Sequence, residues 1–134
     1  MTESNLILEY YDGAYGPTIR ISTPSIDELK KIKHVFEIMA LHEVTEINLE
    51  SRLKVRMIGI SSLHLKKDSN ETTLTSNLKL ISEPSSLSKV VWTNSTIGWH
   101  ECADLVDGII ESRNPGHAYL TLGSDIIIEL SYRE

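Results

Sequence analysis

The sequence predicts an α+β protein in which two helices pack on one face of an antiparallel or mixed β-sheet. Two segments carry apolar residues at the three- and four-residue spacing of an amphipathic helix, and their neighbours alternate apolar and polar residues as strands do. Short turn-like segments join most of the strands, which is typical of antiparallel neighbours. Neither a repeat nor a linker divides the 134 residues, so we expect a single domain over 1–134.

The first two strands are predicted as a hairpin, because residues 6–11 and 18–22 are rich in Ile, Leu and Tyr and flank a turn segment with two glycines and a proline. The first helix follows. Ser25 and Glu28 have the spacing of a capping box, in which each side chain accepts a hydrogen bond from the other residue's backbone N–H. The apolar stripe predicted to be buried consists of Leu29, Ile32, Phe36, Met39 and Ala40.

The middle of the chain is predicted to be rich in strands. Residues 46–57 alternate apolar and mostly charged side chains, which favours strand structure with one buried face. Ser51 marks a turn or bend, so the segment is interpreted as either one long strand or two. The remaining predictions in this part are strands near 63–65, 74–80 and 90–92, with polar turns or loops at 66–71 and 83–86.

The second helix is predicted to begin after Ser95 or Thr96, either of which can cap its first turn, and to end before Asn114-Pro115-Gly116. Its apolar stripe consists of Trp99, Cys102, Ala103, Val106, Ile109 and Ile110. A last hairpin is predicted from 119–122 and 126–132, with Gly123-Ser124 at its turn.

Charge is unevenly distributed along the chain. Residues 95–134 contain seven acids and two bases, a net of −5, whereas residues 1–94 contribute only −1 to the chain's −6. Four acids lie on the second predicted helix at spacings of three or four, where each like-charged pair costs about 0.2–0.5 kcal/mol. Helix stability does not explain this pattern, so we interpret it as a docking face for a basic protein or as a solubilising surface. The four acids are Glu101, Asp104, Asp107 and Glu111.

Two further residues join these acids as candidate partner-binding residues. Trp99 and Trp92 flank the start of the second helix. Tryptophan at such a position usually packs in the core. If its indole were exposed beside the acids, it would be an anchor for a partner. His117 follows Pro115-Gly116 in a constrained turn, where a structural role is the main alternative.

The sequence predicts no catalytic residue, metal ligand or cofactor. No two of the five histidines have the four-residue spacing of a helical zinc pair, and Cys102 is the single cysteine. The chain contains no phosphate-binding loop, dinucleotide fingerprint or nucleophile elbow. The alternative that remains is a small enzyme or ligand-binding protein that uses His100 and His117 with a carboxylate in a pocket.

Bulk properties indicate where the chain acts. A net charge of −6 and a pI near 5.3 disfavour direct binding of nucleic acid. The polar N-terminus lacks the basic start and apolar run of a signal peptide, and no apolar stretch has the roughly 20 residues of a membrane helix. We therefore expect a cytoplasmic protein that does not interact with membranes.

The C-terminal part of the chain resembles small bacterial proteins of the toxin-immunity type over residues 92–134. The segments that carry the resemblance are 92–95, 98–108, 115–120 and 127–132. Such proteins are compact, often acidic α+β domains that bind and neutralise a cognate toxin. The resemblance implies a basic toxin partner, for which a nuclease domain is one candidate, and it assigns a role to no single residue.

These observations leave three hypotheses. The first is the immunity-type protein, whose binding would be sensitive to salt and weakened by Asp104→Lys or Asp107→Lys. The second is the small enzyme or ligand-binding protein. The third is a homodimer or larger homo-oligomer that pairs exposed sheet edges, for example through the C-terminal strand.

Overall fold

A computed structural model describes residues 5–14, 16–41, 44–67, 77–81, 88–121 and 126–133. The elements in this part of the chain are β1 (Ile7–Gly13), β2 (Gly16–Thr23), α1 (Ile26–Leu41), β3 (Glu46–Asn48), α2 (Leu49–Arg52), β4 (Arg56–Ile58), β5 (Ile60–Lys67), β6 (Asn77–Ile81), β7 (Ser88–Asn94), α3 (Thr96–Ser112), β8 (Gly116–Tyr119) and β9 (Ile127–Tyr132).

The strands form two mixed sheets. The first has the order β4-β1-β2-β9-β8, with parallel pairs β1/β4 and β2/β9 and antiparallel pairs β1/β2 and β8/β9. The second has the order β3-β5-β7-β6, with a parallel pair β5/β7 between two antiparallel pairs. The predicted α+β class with a mixed sheet is confirmed. The division of the strands between two sheets was not predicted.

Both predicted hairpins have antiparallel strands, but the first strand of the last hairpin, predicted over 119–122, is β8 at Gly116–Tyr119. Strands β1 and β2 pair as far as Gly13 and Gly16, and Gly16 has a φ of 118°, which glycine adopts without strain. Strands β8 and β9 also pair antiparallel, although the predicted turn at Gly123-Ser124 lies outside the described residues. Since β9 lies between β2 and β8, it has no free edge. Pairing of a second copy with a free edge of the C-terminal strand, given above as an example, does not fit this strand order.

The alternating segment 46–57 does not form continuous strand structure. Between β3 and β4 the chain makes the short helix α2, which buries Leu49 and closes with a hydrogen bond from Leu53 N to Leu49 O (3.0 Å). Glu50 accepts hydrogen bonds from Ser62 Oγ (2.7 Å) and Leu63 N (3.1 Å) of β5. These tertiary bonds favour the helical turn over the strand that the local alternation predicts.

Gly59 allows the chain to pass from one sheet to the other. It lies between β4 of the first sheet and β5 of the second and has a φ of 73°. A Cβ atom at this position would lie 2.7 Å from Tyr10 O, so any larger residue would clash with the backbone of β1.

Helix α1 begins as predicted, with one difference in its cap. Glu28 N donates to Ser25 Oγ (3.4 Å), but Thr23 Oγ1, rather than Glu28, accepts the hydrogen bond from Ser25 N (3.1 Å). The predicted apolar stripe of α1 is buried together with Val35. This stripe and the inner faces of both sheets belong to one hydrophobic cluster, and α1 packs directly against α3.

Several predictions fall wholly or partly outside the described residues. The predicted turn at 66–71 overlaps the end of β5, and its remainder, Leu74 and the loop at 83–86 are not among the described residues. The strands predicted near residues 80 and 91 are confirmed as β6 and β7. In the described part of the chain, no helix is both long and apolar enough to cross a membrane.

Candidate functional site

The candidate site is on α3, and buried polar side chains fix the start of this helix. Ser95 is the N-cap, and its Oγ accepts a hydrogen bond from Gly98 N (3.0 Å). Asn94, which is 1% exposed, accepts a hydrogen bond from Ser95 N through its Oδ1 (3.0 Å). At the other end, Arg113 takes the left-handed conformation of a C-cap, with a φ of 59°.

The inner face of α3 belongs to the core and includes Trp99, which is 0% exposed. Its ring lies 4.8 Å from that of Trp92 and 5.8 Å from that of Phe36, between ring centroids. The assignment of Trp99 to a partner-binding surface is therefore wrong. The physical reason was present in the sequence, since Trp99 shares the apolar stripe of Cys102, Ala103 and Val106, all of which are buried.

The outer face of α3 combines acids with exposed apolar side chains. Glu101, Asp104 and Glu111 are exposed and Asp107 is partly exposed. Ile97 and Leu105 lie one turn before and one turn after Glu101 and are 48% and 41% exposed. The six residues are spaced so that they share one broad side of the helix, and we call them the acidic face: Ile97, Glu101, Asp104, Leu105, Asp107 and Glu111.

Two of the four acids have a basic partner. Asp107 Oδ1 lies 2.9 Å from Lys33 Nζ of α1, and this hydrogen bond raises the pKa of the Lys33 ammonium. Asp104 Oδ2 lies 3.4 Å from His100 Nδ1, one turn earlier on the same helix. Among the described residues, no cation forms an ion pair with Glu101 or Glu111. The acidic face therefore keeps negative charge that the fold does not neutralise.

A groove of about 120 Å³ separates the acidic face from α1. Its lining includes Lys33, His100 and Asp104, and it also includes Leu41, which is 68% exposed. Sequence reasoning missed the exposed apolar residues Ile97, Leu105 and Leu41. The available signal was their position, because each lies off the apolar stripe of its helix and yet is apolar.

His117 lies on β8, an edge strand of the first sheet, and is exposed as the partner-binding prediction requires. Its ring packs edge-on against the exposed ring of Tyr119, with 5.5 Å between centroids. His100 lies near the start of α3, and His117 follows its end. A helix rise of about 1.5 Å per residue puts roughly 18 Å between His100 and Ser112. The described pocket that His100 lines does not include His117.

Cys102 is a core residue. It is 2% exposed, and its thiol donates to Leu120 O at 3.5 Å. Burial, with a smaller effect of the nearby Glu101 charge, raises the pKa of the Cys102 thiol to about 12. The reactive thiolate is therefore scarce at neutral pH.

We expect thiol reagents to leave native Cys102 unmodified at pH 8. The raised pKa leaves only about 1 thiol in 10,000 ionised at that pH, and burial excludes the reagent. The fraction ionised rises only as the pH approaches 12. A coloured disulfide reagent measures this protection: the rate at which it reacts with the thiol is compared between native protein and protein in urea. Similar rates in the two states would show that the thiol is accessible in the folded protein.

One polar cluster outside α3 was not predicted. Asn48 and His64 are paired residues on β3 and β5, and His64 Nδ1 contacts Asn48 Oδ1. His64 Nε2 lies 3.1 Å from Glu46 Oε1, and this hydrogen bond lowers the pKa of the Glu46 carboxyl. The cluster ties the edge strand β3 to β5. Its sequence signal was the two-residue spacing of Glu46 and Asn48, which puts them on one side of the strand.

In the described part of the chain, no group of three or more His, Cys, Asp and Glu side chains is arranged to hold a metal ion. No protein-family model, curated protein or solved structure matches the chain.

Proposed function

We propose that this protein is a binding module of the immunity type, which neutralises a cognate basic toxin in the bacterial cytoplasm by covering it with the acidic face of α3. The observation that carries the proposal is the composition of that face: exposed Ile97 and Leu105 lie one helical turn before and one turn after Glu101, and Glu101 and Glu111 form no ion pair among the described residues. Protein interfaces combine apolar contacts at their centre with polar or charged residues at their rim.

Charge and apolar area have different roles in this proposal. The four acids attract a basic surface over several ångströms, which accelerates the encounter and disfavours acidic partners. Ile97 and Leu105 supply contact area whose burial stabilises the complex once it has formed. A face that only keeps the protein soluble needs the acids and has no use for the exposed aliphatic residues.

The acidic face is also rigidly positioned. Trp99 anchors α3 in the core, Ser95 caps it, and the ion pair between Lys33 and Asp107 joins it to α1. A surface held in place before binding loses little conformational entropy when the partner docks. This fixed position supports α3 as the docking element.

The partner can be found by capture. Tagged protein expressed in its native host is purified at low salt, washed at high salt, and the eluate is identified by mass spectrometry. We expect a stoichiometric basic protein that leaves in the high-salt wash, because salt screens the attraction between exposed charges. A captured partner that is acidic, or that resists the high-salt wash, would contradict the charge-based proposal.

We expect Asp104→Lys to weaken binding of the captured partner about tenfold, which corresponds to about 1.4 kcal/mol of binding free energy. Asp104 is exposed and central on the acidic face, so reversing its charge replaces attraction with repulsion. Isothermal titration calorimetry at two salt concentrations measures the loss and its salt dependence.

Asp12→Lys is the matched control, because Asp12 is exposed on β1 and the change in net charge is the same. Asp107→Lys is a less informative variant, since it also breaks the ion pair with Lys33. Equal losses of affinity in Asp104→Lys and Asp12→Lys would show that the net charge, and not the acidic face, determines binding.

A further inference from the structure

A basic groove lies between α1 and the end of α2. It has a volume of about 360 Å³, and its polar lining consists of the cations Lys30, Lys31 and Arg52 together with His34. Val35, Ile38 and Leu53 provide its apolar lining. A neighbouring depression shares Arg52 and extends the basic surface to Lys54 and Arg56.

Acids lie near this groove, but none of them belongs to its described lining. Glu50 accepts hydrogen bonds from Ser62 and Leu63, and Glu28 pairs with Lys31 at 3.3 Å. Asp27, one turn before the groove on α1, is the exposed acid on this side of the helix. The lining of the groove contains three cations, one of them paired with Glu28, and no acid, although the chain as a whole carries a charge of −6.

The basic groove and the acidic face lie on different sides of α1. Lys33 and Glu37 line the groove toward α3, whereas Lys30 and His34 line the basic groove, on average about 60° further around the helix at 100° per residue. The packing of α1 on α3 fixes this separation. One molecule consequently cannot place its own acidic face in its own basic groove, but two copies can bring the surfaces together.

We propose that the basic groove binds the acidic face of a second copy of this chain. Lys30, Lys31 and Arg52 then meet the acids of α3, and Ile97 and Leu105 can contact the apolar lining of the groove. Because the two surfaces differ, the contact is heterologous, and it closes into a ring or continues as a chain. This proposal depends only on the two surfaces and does not require a toxin partner.

The dependence of association on salt concentration distinguishes this specific contact from non-specific association. Copies with a net charge of −6 repel one another at low salt, so non-specific association would strengthen as salt is added. Association through complementary surfaces does the opposite. Between about 0.01 M and about 1 M salt the screening length falls from about 30 Å to about 3 Å, which removes the attraction.

The test is sedimentation velocity of the purified full chain across a concentration series at these two salt levels. We expect a mass above that of the monomer at low salt and a monomer at high salt. Two charge-reversal variants should each remain monomeric at low salt. The groove variant combines Lys30→Glu with Arg52→Glu. The face variant combines Glu101→Lys with Asp104→Lys. Three of these residues, Lys30, Arg52 and Glu101, form no ion pair among the described residues.

An equimolar mixture of the two variants is the decisive sample. The groove variant keeps a native acidic face and the face variant keeps a native groove, so the mixture should form a one-to-one complex that neither variant forms with itself. This rescue also excludes misfolding as the reason for the loss. A monomeric wild type at low salt, or a mixture that stays monomeric, would overturn the proposal. Binding of poly-glutamate by a monomeric wild type would likewise overturn it and assign the groove to another acidic partner.

Discussion

Gly98→Ala should lower the free energy of unfolding by about 3 kcal/mol, the sum expected for overpacking a buried site and disrupting a buried hydrogen bond. A Cβ at Gly98 would lie 1.7 Å from Asn94 Oδ1 and 2.3 Å from Asn94 Cγ. The Asn94 amide is buried and holds Ser95 N, so it cannot move aside without losing that contact. Urea unfolding followed by circular dichroism measures the loss.

Gly108→Ala is the matched control in the same helix. A Cβ at Gly108 would meet no atom within 4 Å, and the residue is exposed. Since alanine favours the helix over glycine by up to about 1 kcal/mol, this variant should be more stable than the wild type. Equal changes in stability for the two substitutions would contradict the claim that the hydrogen bonds among Asn94, Ser95 and Gly98 fix the start of α3.

Trp99→Ala should be the most destabilising change, with a loss of about 3–5 kcal/mol in the free energy of unfolding. The substitution removes a ring that packs against both Phe36 and Trp92, and it leaves a cavity where α3 meets the core. Trp99→Phe should cost less, on the order of 1–2 kcal/mol, because phenylalanine fills most of the space. Denaturation midpoints with circular dichroism as the probe measure both effects.

The phenylalanine variant also tests the polar atom of the indole. Trp99 Nε1 is buried, and no hydrogen-bond partner for it lies in the described part of the chain. Removing an N–H that makes no hydrogen bond should therefore add nothing to the cost of the lost volume. A Trp99→Phe variant as unstable as Trp99→Ala would show that this N–H makes an essential hydrogen bond.

The elements that local chemistry determines were predicted from the sequence. Turn residues indicated both hairpins, and helical spacing with Ser25 and Ser95 as caps indicated α1 and α3. The pairing of distant strands was not predictable in this way, because β2/β9 and β5/β7 join segments far apart in the chain. Helix α2 was missed for a related reason, since the hydrogen bonds of Glu50 to β5 are tertiary.

The candidate site was also predictable from the sequence only in part. The spacing of the acids placed them on the outer side of α3, and the apolar stripe already contained Trp99, whose burial removes it from the site. The ion pair between Lys33 and Asp107 depends on how α1 packs against α3, which the sequence does not reveal. The exposed Ile97 and Leu105 change the interpretation of the acids, because they add apolar contact area to a charged surface.

The measurement that tests the central claim most directly is the amount of basic partner captured at low salt by Asp104→Lys relative to Asp12→Lys, each prepared from the native host. Both variants have the same net charge, so they differ in where the charge is changed and in the loss of the contact between Asp104 and His100. The account predicts that Asp12→Lys retains a stoichiometric partner and that Asp104→Lys loses most of it. Equal recovery of the partner by both variants would contradict the assignment of the acidic face as the docking surface.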